Sequence, residues 1–144
     1  MAGGDHLLQW AGIAGLIALL AGCGAEAVRE DVSRNDFEAG RLFYEGYCSA
    51  CHGPEGRGDG RLARELPRRP ADLTRLSARN GGAFPWSRVM AQVHGYEGRS
   101  EIMPEYGTVF DGPKVTWRDE RGTRIETPEA LLQLARYLES IQES

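Results

Sequence analysis

The run Cys48-Ser49-Ala50-Cys51-His52 constrains this chain more than any other feature. Two thiols three positions apart project from one side of a helical turn, and the histidine that follows presents a ring nitrogen beside them. C-x-x-C-H is the pattern that attaches a c-type haem: the thiols form thioethers to the two vinyl groups and the histidine ligates the iron. A fold built on it must wrap its chain around a flat, largely apolar group. Two other chemistries use the same residue types. A thioredoxin-like redox pair sits in a βαβ context, which the sequence lacks, and half of a zinc site needs a second ligand pair. The chain has three cysteines and three histidines, and no second Cys pair occurs.

The 144 residues suffice for one domain and one core. With 17 basic and 21 acidic residues the formal charge is −4, without the basic excess that nucleic-acid binding requires. An odd number of cysteines also makes a disulfide scaffold a poor explanation, so each thiol needs its own chemistry.

Leu7 to Leu20 is an apolar stretch of 14 residues, short of the roughly 20 that a helix needs to cross a bilayer and suited to a signal-peptide core. It runs into Leu20-Ala21-Gly22-Cys23, which resembles the lipobox of bacterial lipoproteins and implies that Cys23 is lipidated and becomes the new N-terminus. Two or more acyl chains give stable attachment, each buried methylene contributing roughly 0.8 kcal/mol. The residues before the apolar core include Asp5 and His6 but no Lys or Arg, a departure from the signal pattern. An uncleaved signal anchor, with Cys23 a bystander, is the alternative. Gly24 to Asp36 is polar and aperiodic, as a tether would be. The expected organisation is a signal peptide over 1–22, a lipid-anchored tether over 23–35 and a folded domain over 36–144, held to a membrane in the bacterial periplasm.

Upstream of the motif, Gly40 and Tyr44 lie eight and four residues before Cys48; downstream, Leu134 and Tyr137 sit three apart. With C-x-x-C-H between them, these residues resemble the class I monohaem c-type cytochromes, from about Asp36 to Ser140. The resemblance implies an all-α fold, about four helices around one covalent haem c. It also implies that the terminal helices cross closely at the glycine while the aromatics pack over the crossing. Gly53 to Gly60 is too rich in glycine for regular structure and is similar to the family's loop that turns over the haem edge.

A histidine-ligated haem leaves a sixth position whose occupant decides between an electron carrier and a ligand-binding site. Met90, Met103 and His94 are the candidates. Met90 shares a helical face with Val89 and Val93, the pattern of a core residue. His94, followed by Gly95, reads as a helix C-terminus. Met103 precedes Pro104, which holds it extended and stops any helix, and Met-Pro here resembles the family's axial methionine. The other ring N–H of His52 needs an acceptor; the family uses a proline carbonyl, and Pro70, in a stretch resembling its Pro-x-Asp-Leu, is the expected donor of that carbonyl. The cofactor residues are thus Cys48, Cys51, His52, Met103 and Pro70, with iron ligated by His52 and Met103.

The coarse elements are a helix from Asp36 to Ala50, a helical turn near Leu73 to Arg79, a helix from Pro85 to Val93 and a last helix from Pro128 to Gln142. In the last, Thr127 is the expected N-cap and Pro128 the first helical residue. Between the methionine loop and that helix, Val115-Thr116-Trp117 and Thr123-Arg124-Ile125 suggest a small β-hairpin. Trp117 reads equally as a haem cover, a propionate donor or a structural aromatic. Charge is uneven: seven Arg face three acids from Arg57 to Arg79, while ten acids face six bases from Glu97 onward. The basic stretch reads as a docking patch for an acidic partner, as a propionate counter-charge or as a solvated face.

These features point to a one-electron carrier, not an enzyme, working between periplasmic or membrane redox proteins such as a respiratory complex, a terminal oxidase or reductase, or a periplasmic dehydrogenase. The alternatives are a haem c subunit fixed in a dehydrogenase complex and a gas-binding or peroxidase-like protein with an open axial site. Membrane contact is expected through the lipid anchor, and nucleic acid is not an expected partner.

Overall fold

The computed structural model describes residues 34–95 and 102–143. The expected signal peptide, the lipidation site Cys23, the tether up to residue 33 and the start of the methionine loop lie outside the described residues. A compact unit begins at Asp36. Its elements are α1 over residues 34–47, α2 (Ser49–His52), two 3-10 turns (Leu73–Arg75 and Ala78–Asn80), α3 (Trp86–His94), β1 (Lys114–Arg118), β2 (Arg124–Pro128) and α4 (Glu129–Ser140). The described residues therefore form a mixture of helices and one two-stranded antiparallel sheet, which is not clearly the all-α fold expected.

Packing of α1 on α4 organises the core. A Cβ at Gly40 would lie 2.2 Å from the Gln133 carbonyl oxygen, so the backbones approach at a point where only glycine fits. Tyr44, fully buried, packs its ring 5.2 Å from that of Tyr137, and Phe37 covers Tyr137 from the other side at 5.5 Å. Gln133 donates to Asp36 at 3.1 Å, and Asp36 also pairs with Arg136. The apolar face of α4, with Leu131, Leu134, Ala135 and Leu138 buried, follows the three-and-four spacing of an amphipathic helix.

Val89, Met90 and Val93 of α3 are buried against this core. The helix stops at Gly95, whose φ of +99° is cheap only for glycine and whose N–H closes on Ala91. At its other end Pro85 offers no side-chain cap. The hairpin supplies one instead: Glu120 accepts from the N–H of Ser87 at 3.0 Å and from its hydroxyl. Trp86 packs its ring 6.0 Å from that of Trp117 and donates to Glu139.

The hairpin pairs Lys114 with Pro128 and Trp117 with Ile125, and Asp119 closes its turn by accepting from the N–H groups of Arg121 and Thr123. It is longer than the 115–117 and 123–125 segments expected, and it corrects the start of the last helix. Thr127 and Pro128 belong to β2, and α4 starts at Glu129, whose N–H bonds to the Pro113 carbonyl at 2.8 Å. Pro128, with φ −54° and ψ 129°, has the extended ψ of a strand residue, and its missing N–H costs nothing at a strand end. The first helix also differs from expectation: it breaks at Cys48 and resumes as α2. Among the described residues no helix is long and apolar enough to cross a membrane.

Candidate functional site

The break at Cys48 carries the motif. Cys48 N–H bonds to the Tyr44 carbonyl and His52 N–H to the Cys48 carbonyl, both at 2.9 Å, so the turn continues the hydrogen bonding of α1 into α2. Cys48 is buried and Cys51 half-buried, and the two are not bonded to each other. Burial, with Cys51 adding to it, pushes the Cys48 thiol up to about 12, so it stays protonated.

Nδ1 of His52 lies 2.9 Å from the carbonyl oxygen of Ala71. A carbonyl only accepts, so Nδ1 carries the proton and Nε2 keeps its lone pair. Burial lowers the proton affinity of His52, with the Ala71 bond opposing it. A neutral, oriented imidazole is what metal ligation needs. The acceptor corrects the expectation by one residue: it is Ala71, not Pro70. The Pro70 carbonyl instead faces Gly58, where an added Cβ would come within 2.3 Å of it. The register follows from two anchors: Arg69 donates to the carbonyls of Gly58 and Arg57, and Leu73 N–H donates to that of Gly56. Between them Ala71 is the residue that turns its carbonyl to the ring.

The glycine-rich loop folds back on α2. Gly58, at φ +72°, donates to the His52 carbonyl at 2.7 Å, Gly60 to Cys51 at 3.1 Å and Leu62 to Ala50 at 2.9 Å. These bonds satisfy carbonyls that a short helix leaves unpaired at its end. A Cβ on Gly60 would sit 2.4 Å from the Ala50 carbonyl oxygen, so the loop closes only without a side chain there.

Cys48, Cys51, His52, Pro70 and Met103 all line one cleft of about 680 Å3. Its walls are Val89 and Val93 of α3, Leu134 and Leu138 of α4, and Leu73 and Leu76 of the 3-10 segment. Arg68, Arg69 and Arg88 also line it, and among the described residues no acid does. Tyr106 holds the segment after Met103 in place, its N–H bonding to Val93 and its hydroxyl to the Tyr47 carbonyl, each at 3.0 Å. Of the three candidates for the sixth position, Met103 lines the cleft, while Met90 is buried in the core and His94 ends α3 outside that lining. Trp117 packs on Trp86 and is not part of the lining.

The donor set and walls fit a haem. Two thiols, an imidazole and a thioether border an apolar space, within the range of about 300–1,000 Å3 typical of cofactor sites. A zinc site is less well served, since among the described residues no three His, Cys, Asp or Glu side chains gather as one. The sequence reading missed Ala71, Tyr106 and Arg88. Ala71 carries no side-chain signal because it acts through its carbonyl; Arg88, one residue before Val89 in the expected helix, was open to the inference that it borders the same space. Against models of known families, curated proteins and solved structures, the chain matches none.

Proposed function

We propose that this chain is a one-electron carrier built on a single covalent haem c, exported and held to a bacterial membrane through Cys23. The observation that supports it best is the shared cleft, where Cys48, Cys51 and His52 border the same apolar space as Met103. Cys48 and Cys51 would hold the group by thioethers, and His52 and Met103 would ligate its iron. When bound, that group supplies a reversible one-electron change.

The chain's own residues set the conditions for it. Ala71 fixes the tautomer and orientation of His52. Leu134, Leu138, Val89 and Val93 exclude water from the cleft, which limits reorganisation around a changing charge. Tyr106 keeps the Met103 segment against α1 and α3. With His52 and Met103 both holding the group, no ligand position would be left for a substrate, which favours a carrier over an enzyme. Its partners are other redox proteins.

Visible spectra of the exported, purified protein, oxidised and reduced, with and without carbon monoxide, test this reading beside Met103→Ala. A c-type spectrum indifferent to carbon monoxide in the wild type and responsive in the variant is expected. Carbon monoxide binding by the wild type would assign the protein to the gas-binding class. Absence of covalent haem would overturn the proposal.

A further inference from the structure

A second hollow, of about 710 Å3, is bordered by the glycine loop and lined by Gly58, Asp59, Gly60, Arg61, Arg64 and Arg69 among others. Arg69 lines both this hollow and the cleft. We propose that this hollow seats the acidic side chains of a protein partner, beside the loop that covers the motif. The role of that partner as electron donor or acceptor rests on the carrier reading above; the site itself rests on the charge and shape of the hollow.

Basic charge is in excess, three Arg lining the hollow against one acid, Asp59. Among the described residues Arg61, Arg64 and Arg68 form no ion pair, whereas Arg57 is held by Glu55 and Glu143. Arg69 donates only to carbonyls and keeps its charge. Asp59, the acid in the lining, lies against Gly53, where an added Cβ would come within 2.1 Å of its carboxylate. Arg61, Arg64 and Arg69 are exposed. This local excess stands on a chain of net charge −4, so it orients an approaching molecule instead of attracting anions to the whole surface.

The backbone argues against a free oxyanion as the occupant. Such sites use converging N–H groups, but four candidates, the amides of Gly58, Gly60, Leu62 and Ala63, turn away to the carbonyls of His52, Cys51, Ala50 and Gly60, and Asp59 places a carboxylate in the lining. The hollow presents long guanidinium side chains around a recess, suited to carboxylates that protrude from a protein surface. A flat anionic membrane would reach the rim but leave the recess unfilled. A partner seated here lies one hydrogen bond from the motif, through Gly60 N–H and the Cys51 carbonyl.

The test titrates the exported, purified protein with poly-L-glutamate at low salt, comparing wild type with Arg61→Glu/Arg64→Glu and with Arg121→Glu/Arg124→Glu. The hairpin variant changes net charge equally but lies away from the hollow. Expected is salt-sensitive binding by the wild type, roughly tenfold weaker in the Arg61/Arg64 variant and nearly unchanged in the hairpin variant. Equal weakening in both variants, or no wild-type binding, would overturn the proposal. So would competition by millimolar inorganic phosphate at constant ionic strength, or stronger capture by anionic lipid vesicles than by the peptide. Visible spectra of the same samples report the haem separately, so a failed carrier reading and a failed docking site give different results.

Discussion

Gly40 is a position where one methyl group has a calculable effect. Because its Cβ would lie 2.2 Å from the Gln133 carbonyl, Gly40→Ala must force α1 and α4 apart, at a cost of about 1–3 kcal/mol. A lower denaturation midpoint is the expected result. Tyr44 tests the same crossing by a polar route. Its hydroxyl donates to the Gly53 carbonyl in a buried setting, and burial raises its pKa far enough that it remains a donor at any working pH. Tyr44→Phe removes one of the two bonds that the Gly53 carbonyl accepts, the other coming from Gly56 N–H at 3.2 Å, a loss of about 0.5–1.5 kcal/mol measured by denaturant unfolding. Both residues were visible in the sequence, since a glycine and an aromatic at fixed distances from Cys48 are side-chain signals. Ala71 was not: its contribution to His52 is a carbonyl that every residue carries, and only the anchoring of Arg69 and Leu73 selects it.

At the scale of elements, the hairpin has a definite task, because α3 begins without a cap of its own and Glu120 serves as one from outside the helix. Burial raises the Glu120 pKa, but the hydrogen bonds from Ser87 more than offset it and hold the carboxyl below its ordinary 4.5. A lowered pKa means stability present above the unfolded-state value and lost as pH falls through the folded one. Glu120→Ala should therefore cost about 1 kcal/mol near neutrality, and the difference from wild type should shrink as pH falls below 4.5, as thermal midpoints across that range would show. This task explains why the 114–127 stretch, whose strands were legible from residue types, had no legible role: its partner is 33 residues away in the chain. The start of α4 was misread for a related reason. Thr127-Pro128-Glu129 satisfies local rules for a helix start, yet the pairing of Pro128 with Lys114 makes it the end of a strand.

For the molecule as a whole, the cleft is the dominant energetic fact. A space of about 680 Å3 bordered by Leu, Val and Met side chains is poorly stable when filled by water, and a ligand bound only to the folded state stabilises it by mass action. Cys48→Ser/Cys51→Ser, which would prevent the proposed covalent attachment, is expected to lower the thermal midpoint, broaden the transition and increase binding of a hydrophobic dye. A sharp, wild-type transition in that variant would mean that the core does not depend on the attached group. What the sequence alone determines is chemistry that depends on residue type at short spacing: the two thiols and histidine of the motif, the glycine and tyrosine before it, the methionine placed before a proline, and the turn-forming glycines. Tertiary structure alone decides what depends on parts distant in the chain. It selects Ala71 over Pro70, brings Met103 and not Met90 or His94 to the cleft, caps α3 with Glu120 and places Arg69 in the lining of both the cleft and the hollow. The physical reason is that side-chain identity is written locally, whereas backbone carbonyls, cavities and summed charge acquire meaning only when packing fixes what lies beside them.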